Sequence, residues 1–331
     1  MRTITVRSPA NIAFIKYWGQ IDPVIVLPQN ESCSMNLSAC YTDIEFTKVS
    51  DPQIQEMEIR EFGHSRYRQS TRDELTKVTI YYERIRTLYR LKEAFGFRIR
   101  SVNSFPQKAG IASSASFFSA LAYAFMRAFS LSLSTEDLSI LARLSGSGSA
   151  CRSVPDGFVW WKKGHDNASS HAYSFAAPDA WDIVDIVLVL NTAEKQISSI
   201  DGHAGALSSP YYLSRQRMLP KIAQQLRAAF EDRAFERFGT LVEQEAMNFH
   251  SVLMTQSPPL FYWSGKTIQV LQEVVNLRKT GTACYSTIDA GENVHLICQR
   301  ESVDRLVRHF KASGLTQTVL VNYPAVGTHE I

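Results

Sequence analysis

The stretch Asn103–Phe118, NSFPQKAGIASSASFF, constrains the fold of this chain more than any other. A short strand ends at Asn103, Pro106 opens a loop, and Gly110 lets the backbone turn where a side chain would obstruct it. Ala112, Ser113, Ser114 and Ala115 keep the following surface low, and from Phe117 the chain becomes an apolar helix, FFSALAYAFMRAF. A helix starting under small residues presents free backbone N–H groups and a positive dipole end, which together can receive a phosphate. The same composition suits an ordinary N-capped core helix, and no Gly-Lys-Ser/Thr follows to make a Walker loop.

Three more stretches carry chemistry. In Asn11–Gln20 a lysine, Lys16, sits in an apolar setting beside Tyr17, Trp18 and Gly19. It reads either as a snorkelling lysine beside a core aromatic pair or as a buried cation whose attraction for an anion is magnified by low dielectric. Ser145–Ser153, SGSGSACRS, is either a flexible linker or a run of small residues that admits a ligand to Arg152, a side chain able to grip a carboxylate at two points. Tyr285–His295 brings Asp289 on a strand into a tight Ala-Gly turn, where an Asp most often only forms an Asx-turn.

The remaining periodicities set the frame. Helices are expected over 71–95, with Gly96 ending the first, 134–144, 211–230, 235–250, 264–278 and 303–312; strands over 42–48, 185–190, 294–298 and 319–322. The N-terminal strand is expected to enter a loop at Ser8-Pro9-Ala10, and His203 reads as a loop histidine. At 331 residues the chain suits two domains. A net charge of +3 makes no case for nucleic acid, and no apolar run approaches the ~18–20 residues of a membrane span. Five cysteines, an odd number without a C-x-x-C pair, and an N-terminus without a signal-peptide core point to reduced thiols in the cytoplasm.

Pro106-x-x-x-Gly110-Ile111-Ala112-Ser113-Ser114-Ala115 resembles the P-x3-G-L-x-S-S-A phosphate loop of the GHMP kinase superfamily, with Ile111 for Leu. SPANIAFIKYWGQID followed by LPQNESCS resembles the NIA-x-x-KYWGK and LP-x-N-S-S-x-S blocks of diphosphomevalonate decarboxylases, except that Gln20 stands for a Lys and Glu31 for a Ser. GSGSACRS before GFVxW resembles that family most closely, although Val154-Pro155-Asp156 replaces hydrophobic-Tyr-Gly. Ser198, Ser199 and Gly202 fit its Ser-Ser-Thr-x-Gly-Met loop, with Ile200 for Thr and His203 for Met. Pro258–Tyr262 resembles PPIFY, and Thr287-x-Asp289-Ala290-Gly291-x-Asn293 resembles the segment around the family's catalytic Asp, with Glu292 for Pro.

The resemblance implies an α+β, two-domain GHMP kinase fold, residues 1–185 and 186–331, with the active site in the cleft between domains. It implies ATP, Mg2+ and a phosphorylated mevalonate, no metal-ligating side chain, and a homodimer. It assigns Asp289, Lys16 and Arg152 to catalysis. Tyr17, Trp18, Gly19, Gln20, Arg72, Ser147, Gly148, Ser149, Ala150, Cys151 and Ser199, with Arg152, fall to the substrate; Pro106, Ala109, Gly110, Ile111, Ala112, Ser113 and Ser114 fall to ATP. The reaction expected is decarboxylation of 5-diphosphomevalonate. A decarboxylase of the monophosphate, a kinase without decarboxylation and a silent ligand-binding relative are the alternatives.

Overall fold

The structure, a computed structural model, describes residues 3–106, 113–191 and 199–331, the last run without the side chains of 199–201. The first half is built on an eight-stranded sheet. Seven of its strands are β1 (Thr3–Ile15), β4 (Ser32–Val49), β5 (Gln55–Arg60), β6 (Arg68–Gln69), β7 (Gly96–Asn103), β8 (Phe158–Trp161) and β9 (Ala172–Ala176), with β2 (Gln20–Asp22) and β3 (Leu27–Pro28) forming a small ribbon beside it. Helices α1 (Arg72–Leu88), α2 (Ser113–Ala128) and α3 (Thr135–Arg143) cover one face. The second half has a four-stranded antiparallel sheet of β10 (Ile183–Val189), β11 (Cys284–Thr287), β12 (Val294–Gln299) and β13 (Thr318–Asn322). With it go α4 (Ser199–Ala204), α5 (Tyr212–Glu231), α6 (Phe235–Thr255), α7 (Gly265–Lys279) and α8 (Val303–Ala312). The last strand, β14 (His329–Glu330), returns to pair with β1, so the C-terminus completes the first sheet.

Several local expectations are corrected. β1 does not break at Ser8-Pro9-Ala10 but absorbs Pro9 in an irregularity between Pro9 and Asn11, where a missing N–H costs no ladder bond. β4 is far longer than 42–48, because it pairs with β1, β7 and β8 in turn. α1 stops at Leu88: Arg90 takes a positive φ of 52°, and Gly96 opens β7 instead of closing the helix. The Gly/Ser stretch is no linker, since Gly148–Ser153 forms a 3-10 helix. The strand containing residue 185 belongs entirely to the second sheet, so the change of sheet falls between β9 and β10.

One apolar cluster is shared by the halves. It packs Ile12, Phe14, Cys33 and Trp160 of the first against Leu219, Phe238, Val242 and Ile297 of the second. α6 lies directly on β11. A Cβ on Gly239 would come within 2.0 Å of the Tyr285 ring. That ring is buried, edge-packed by Phe235 and capped by the Arg278 guanidinium, and so cannot retreat.

Helix propensity alone favours Gly239→Ala by about 1 kcal/mol. Overpacking a fixed ring costs roughly 1–3 kcal/mol and wins. The variant is expected to unfold at lower urea or lower temperature than the parent; an equal or higher midpoint would show that α6 can lift off β11 at no cost.

Candidate active site

β1 leads to the centre of the molecule. A register irregularity between Ala13 and Ile15 re-aims the chain as the strand ends, and Lys16 follows. Its Nζ donates to the Ala13 carbonyl at 2.7 Å and to Asp289 Oδ1 at 2.5 Å. Asp289 comes from the turn between β11 and β12. Asn293 holds that turn against the end of β10, its Oδ1 accepting the Leu190 and Asn191 N–H groups. Lys16 is 2% exposed and Asp289 19%, so the carboxylate is the member that faces outward.

Burial pulls the Lys16 ammonium below its usual range, against the opposing pull of Asp289. Burial by itself would raise the Asp289 carboxyl. The Lys16 charge and hydrogen bond, with smaller contributions from His295 and Arg152, outweigh it and hold the group below the ordinary carboxylate value.

The 3-10 helix delivers Arg152. Asn11 secures this segment through Nδ2 bonds to the Ser149 carbonyl and Ser153 Oγ, and Ser119 Oγ donates to the Ala150 carbonyl. Arg152 is buried, with Nε donating to Asn11 Oδ1 at 3.1 Å and Nη1 to Ser32 Oγ at 2.7 Å. Two nitrogens are thus spoken for, which fixes the plane, while Nη2 makes no bond among the described residues. The charge acts on Asp289. Cys151 and Ala150 are buried behind it, and Gly148 lies flat against Tyr17, whose ring a Cβ there would meet at 2.8 Å.

Tyr17, Trp18, Gly19 and Gln20 form one wall. Trp18 is buried among α5 and α6 side chains and donates from Nε1 to Gln256. Gly19 has φ +87°, and any Cβ would strike the Tyr212 hydroxyl, so only glycine fits. Its N–H donates to His203 Nδ1 at 3.0 Å. His203 therefore is no loop residue: it belongs to α4, with its ring centroid 4.3 Å from those of both Tyr17 and Trp18. Gln20 Nε2 donates to the Tyr17 hydroxyl at 2.6 Å.

The segment that the motif assigns to the nucleotide is partly described. Pro106 is buried, while Ala109, Gly110, Ile111 and Ala112 lie outside the described residues. α2 opens at Ser113, and Ser147 Oγ bonds Ser114 Oγ at 3.1 Å, which ties the first turn of α2 to the segment carrying Arg152. Ser199 opens α4, its side chain again outside the described set. Arg72 is an exposed first residue of α1 and shares no hydrogen bond or ion pair with Lys16, Arg152 or Asp289. Asn11, Arg215, Glu245 and His250, which motif reasoning did not single out, all touch this centre. Two of them had a visible signal: Arg215 and Glu245 are opposite charges on the apolar stripes of consecutive helices.

Comparison with known proteins identifies relatives along nearly the whole chain. The family described as the diphosphomevalonate decarboxylase-like N-terminal domain matches residues 8–172, and the mevalonate 5-diphosphate decarboxylase C-terminal domain matches 185–323. The diphosphomevalonate decarboxylase of Ganoderma lucidum is 32% identical over 92% of this chain and 80% of its own, and that of Schizosaccharomyces pombe 34% over 87% and 77%. The mevalonate diphosphate decarboxylase of Staphylococcus aureus superposes with a TM-score of 0.90 at 29% identity, covering all of this chain and 98% of its own. Another solved relative, at TM-score 0.89 and 30% identity over 99% and 98%, holds MVAPP, AMPPCP and magnesium.

Lys16→Met removes the charge that offsets the burial of Asp289. The Asp289 titration, followed by carboxyl carbon NMR, is expected to move to higher pH. A midpoint that stays or falls would show that Lys16 does not set the ionisation of Asp289.

Proposed function

The chain belongs to the diphosphomevalonate decarboxylase family, and from that premise we propose that it converts ATP and 5-diphosphomevalonate into isopentenyl diphosphate, carbon dioxide, ADP and phosphate. The observation that carries the reading is the buried Lys16–Asp289 pair with Arg152 fixed beside it, three charges brought together from three distant segments. The MVAPP, AMPPCP and magnesium held by a solved relative support the same substrates and cation here.

In this reading the 3-hydroxyl of the substrate lies on Asp289. A carboxylate held below its usual pKa is a weak base, so its main work is to orient the hydroxyl oxygen toward the phosphorus and to take the proton late. A loose phosphoryl transfer asks for little more than that positioning. Lys16 keeps Asp289 ionised. The first turn of α2 offers backbone N–H groups to the nucleotide phosphates, and the Ser114–Ser147 bond sets that end next to Arg152. Magnesium, when bound, offsets the charge of the nucleotide phosphate oxygens. Among the described residues no trio of His, Cys, Asp or Glu could cage a metal, so phosphate and water oxygens would supply the ion's ligands. Arg152 holds the substrate carboxylate by its remaining amino group. The 3-phosphate then departs, the bond to the carboxyl carbon breaks, and its electron pair becomes the new double bond as carbon dioxide leaves.

Tyr17, Trp18, Gly19, Gln20 and the Ser147–Cys151 run line the substrate side in this reading; the nucleotide assignment of Ala109, Gly110, Ile111 and Ala112 rests on the motif alone, since they lie outside the described residues. Buried free thiols at all five cysteines support a reducing, cytoplasmic setting, and a homodimer completes the reading from family likeness. No described helix is long and apolar enough to cross a membrane.

The test is turnover with ATP and each phosphorylated mevalonate, ADP and carbon dioxide being measured together. Equal yields of both are expected. ADP without carbon dioxide would make the protein a kinase, and neither product would make it a silent relative. Asp289→Asn keeps size and loses charge; ADP formation should fall by at least about 1,000-fold with substrate binding largely kept. Release within a few-fold of the parent would remove Asp289 from the reaction.

A second reading, decarboxylation of 5-phosphomevalonate, draws on one observation. Gln20, standing where the family pattern has a lysine, gives its amide to Tyr17 and brings no cation. A charge-assisted contact is worth about 1.5–3 kcal/mol, or roughly ten- to a hundred-fold in affinity. Gln20→Lys should therefore raise the diphosphate-to-monophosphate ratio of kcat/KM; an unchanged ratio would place Gln20 away from the phosphate tail.

A further inference from the structure

Lys16 is gripped by its backbone as firmly as by its side chain. Its N–H donates to Glu245 Oε1 at 3.0 Å, and its carbonyl accepts from Arg215 Nη2 at 2.8 Å and Asn30 Nδ2 at 3.0 Å. Arg215 and Glu245 also bond each other, Nη2 to Oε1 at 2.5 Å and Nε to Oε2 at 3.3 Å. Helices α5 and α6 of the second half thus close a ring of hydrogen bonds around one residue of the first. Both side chains are buried, at 3% and 0% exposure.

This pair is a poor choice for packing alone. A well-packed apolar pair of the same volume is often as stable as a buried ion pair, or more so. Arg215 Nη1 is moreover buried with no hydrogen-bond partner among the described residues. The cost makes sense if the geometry of Lys16 is what matters. α6 reaches the other member as well: the His250 Nε2–H donates to the Ile288 carbonyl at 3.2 Å, one residue before Asp289. Burial pushes His250 down to about 3, so the ring is neutral and keeps that donor at working pH.

We propose that Arg215 and Glu245 are positioning residues for the reaction, a buried clamp that fixes the Lys16 backbone so that its ammonium meets Asp289, with His250 on the same helix bracing the Asp289 side. The clamp rests on the reading of Lys16 and Asp289 as the reaction centre. Loosening it lets the ammonium retreat. Asp289 then feels burial with less opposing charge, and its titration moves to higher pH. The charged or titratable groups around the pair are Glu245 and His250 on α6, Arg215 on α5, His295 on β12 and Arg152 on the 3-10 helix.

The test uses the full chain with ATP and 5-diphosphomevalonate, comparing the parent with Arg215→Lys and with the double variant Arg215→Met/Glu245→Leu. The double variant leaves no unpaired charge and should keep its melting temperature within about 5 °C. Both variants are expected to lose about 100-fold in kcat, the effect of an ångström-scale misplacement, with KM values within about threefold. The acid limb of kcat/KM should rise by about half a pH unit or more. A pair that only supports the fold would lower stability and leave that limb in place. Unchanged kcat in the folded double variant, or a loss of kcat without movement of the limb, overturns the proposal. The Asp289 carboxyl titration by NMR needs no turnover and must move upward in both variants if the clamp is real. A parent enzyme that releases no carbon dioxide would instead count against the functional reading, while this titration still decides the clamp.

Discussion

The ion pair between Lys16 and Asp289 is the interaction on which the rest of the molecule depends. Its members are separated by most of the chain and lie just past the ends of strands that belong to different sheets. Taking both charges out of water costs several kcal/mol per ion, and their attraction at a few ångströms in an effective dielectric near 20 returns roughly the same amount. The pair is therefore close to neutral for stability. What it fixes is an ionised carboxylate at a semi-exposed position beside a second cation, Arg152, a state that water alone would not hold in one geometry.

That geometry exists only when the halves are assembled. The shared apolar cluster, the return of β14 to β1 and the insertion of Trp18 among α5 and α6 make the junction dry and continuous. A dry junction raises the value of each polar contact crossing it. The polar contacts that cross include a group around Lys16, namely Lys16 to Asp289, Lys16 to Glu245 and Arg215, and Gly19 to His203, and others farther out, such as the Ala39 and Cys40 N–H groups to Asn322 Oδ1 and Arg227 to Tyr173. Packing supplies the adhesion, and the polar contacts supply the register.

Local rules and motifs made much of this legible in the sequence. Periodicity located α3, α5, α7 and α8 closely, because each has an apolar stripe and a recognisable boundary; Ser134 and Ser264 cap two of them. It misjudged β1 and β4, since a long strand carrying Pro9 and polar residues is stabilised by partners far along the chain that no local window contains. The motif residues Lys16, Arg152 and Asp289 do converge. Arg215 and Glu245 stayed hidden for a different reason. An isolated charge on an apolar stripe looks like a snorkelling side chain until the facing helix is known. Two such charges of opposite sign on consecutive helices, at the same depth in the stripe, form a pattern that sequence reading can use.

Two of the departures from the family pattern, Gln20 and His203, fall together on one side of the site. Gln20 and His203 both rest on Tyr17, one through its hydroxyl and the other against its face, and His203 also takes the Gly19 N–H. Tyr17 in turn packs on Trp161 and Gly148, at the base of the segment that carries Arg152. A lysine at position 20 would be free to extend toward an anion, whereas the shorter glutamine is drawn back onto the aromatic. The histidine fills the space beside Tyr17 and Trp18 with a flat ring that a flexible methionine would fill differently. The two substitutions therefore act on one aromatic wall and change its charge and stiffness together. Lys16, Arg152 and Asp289 themselves keep the residues of the family pattern, so this change falls on the aromatic wall rather than on the three charges, although Val154-Pro155-Asp156 and Glu292 depart from the pattern close by in sequence.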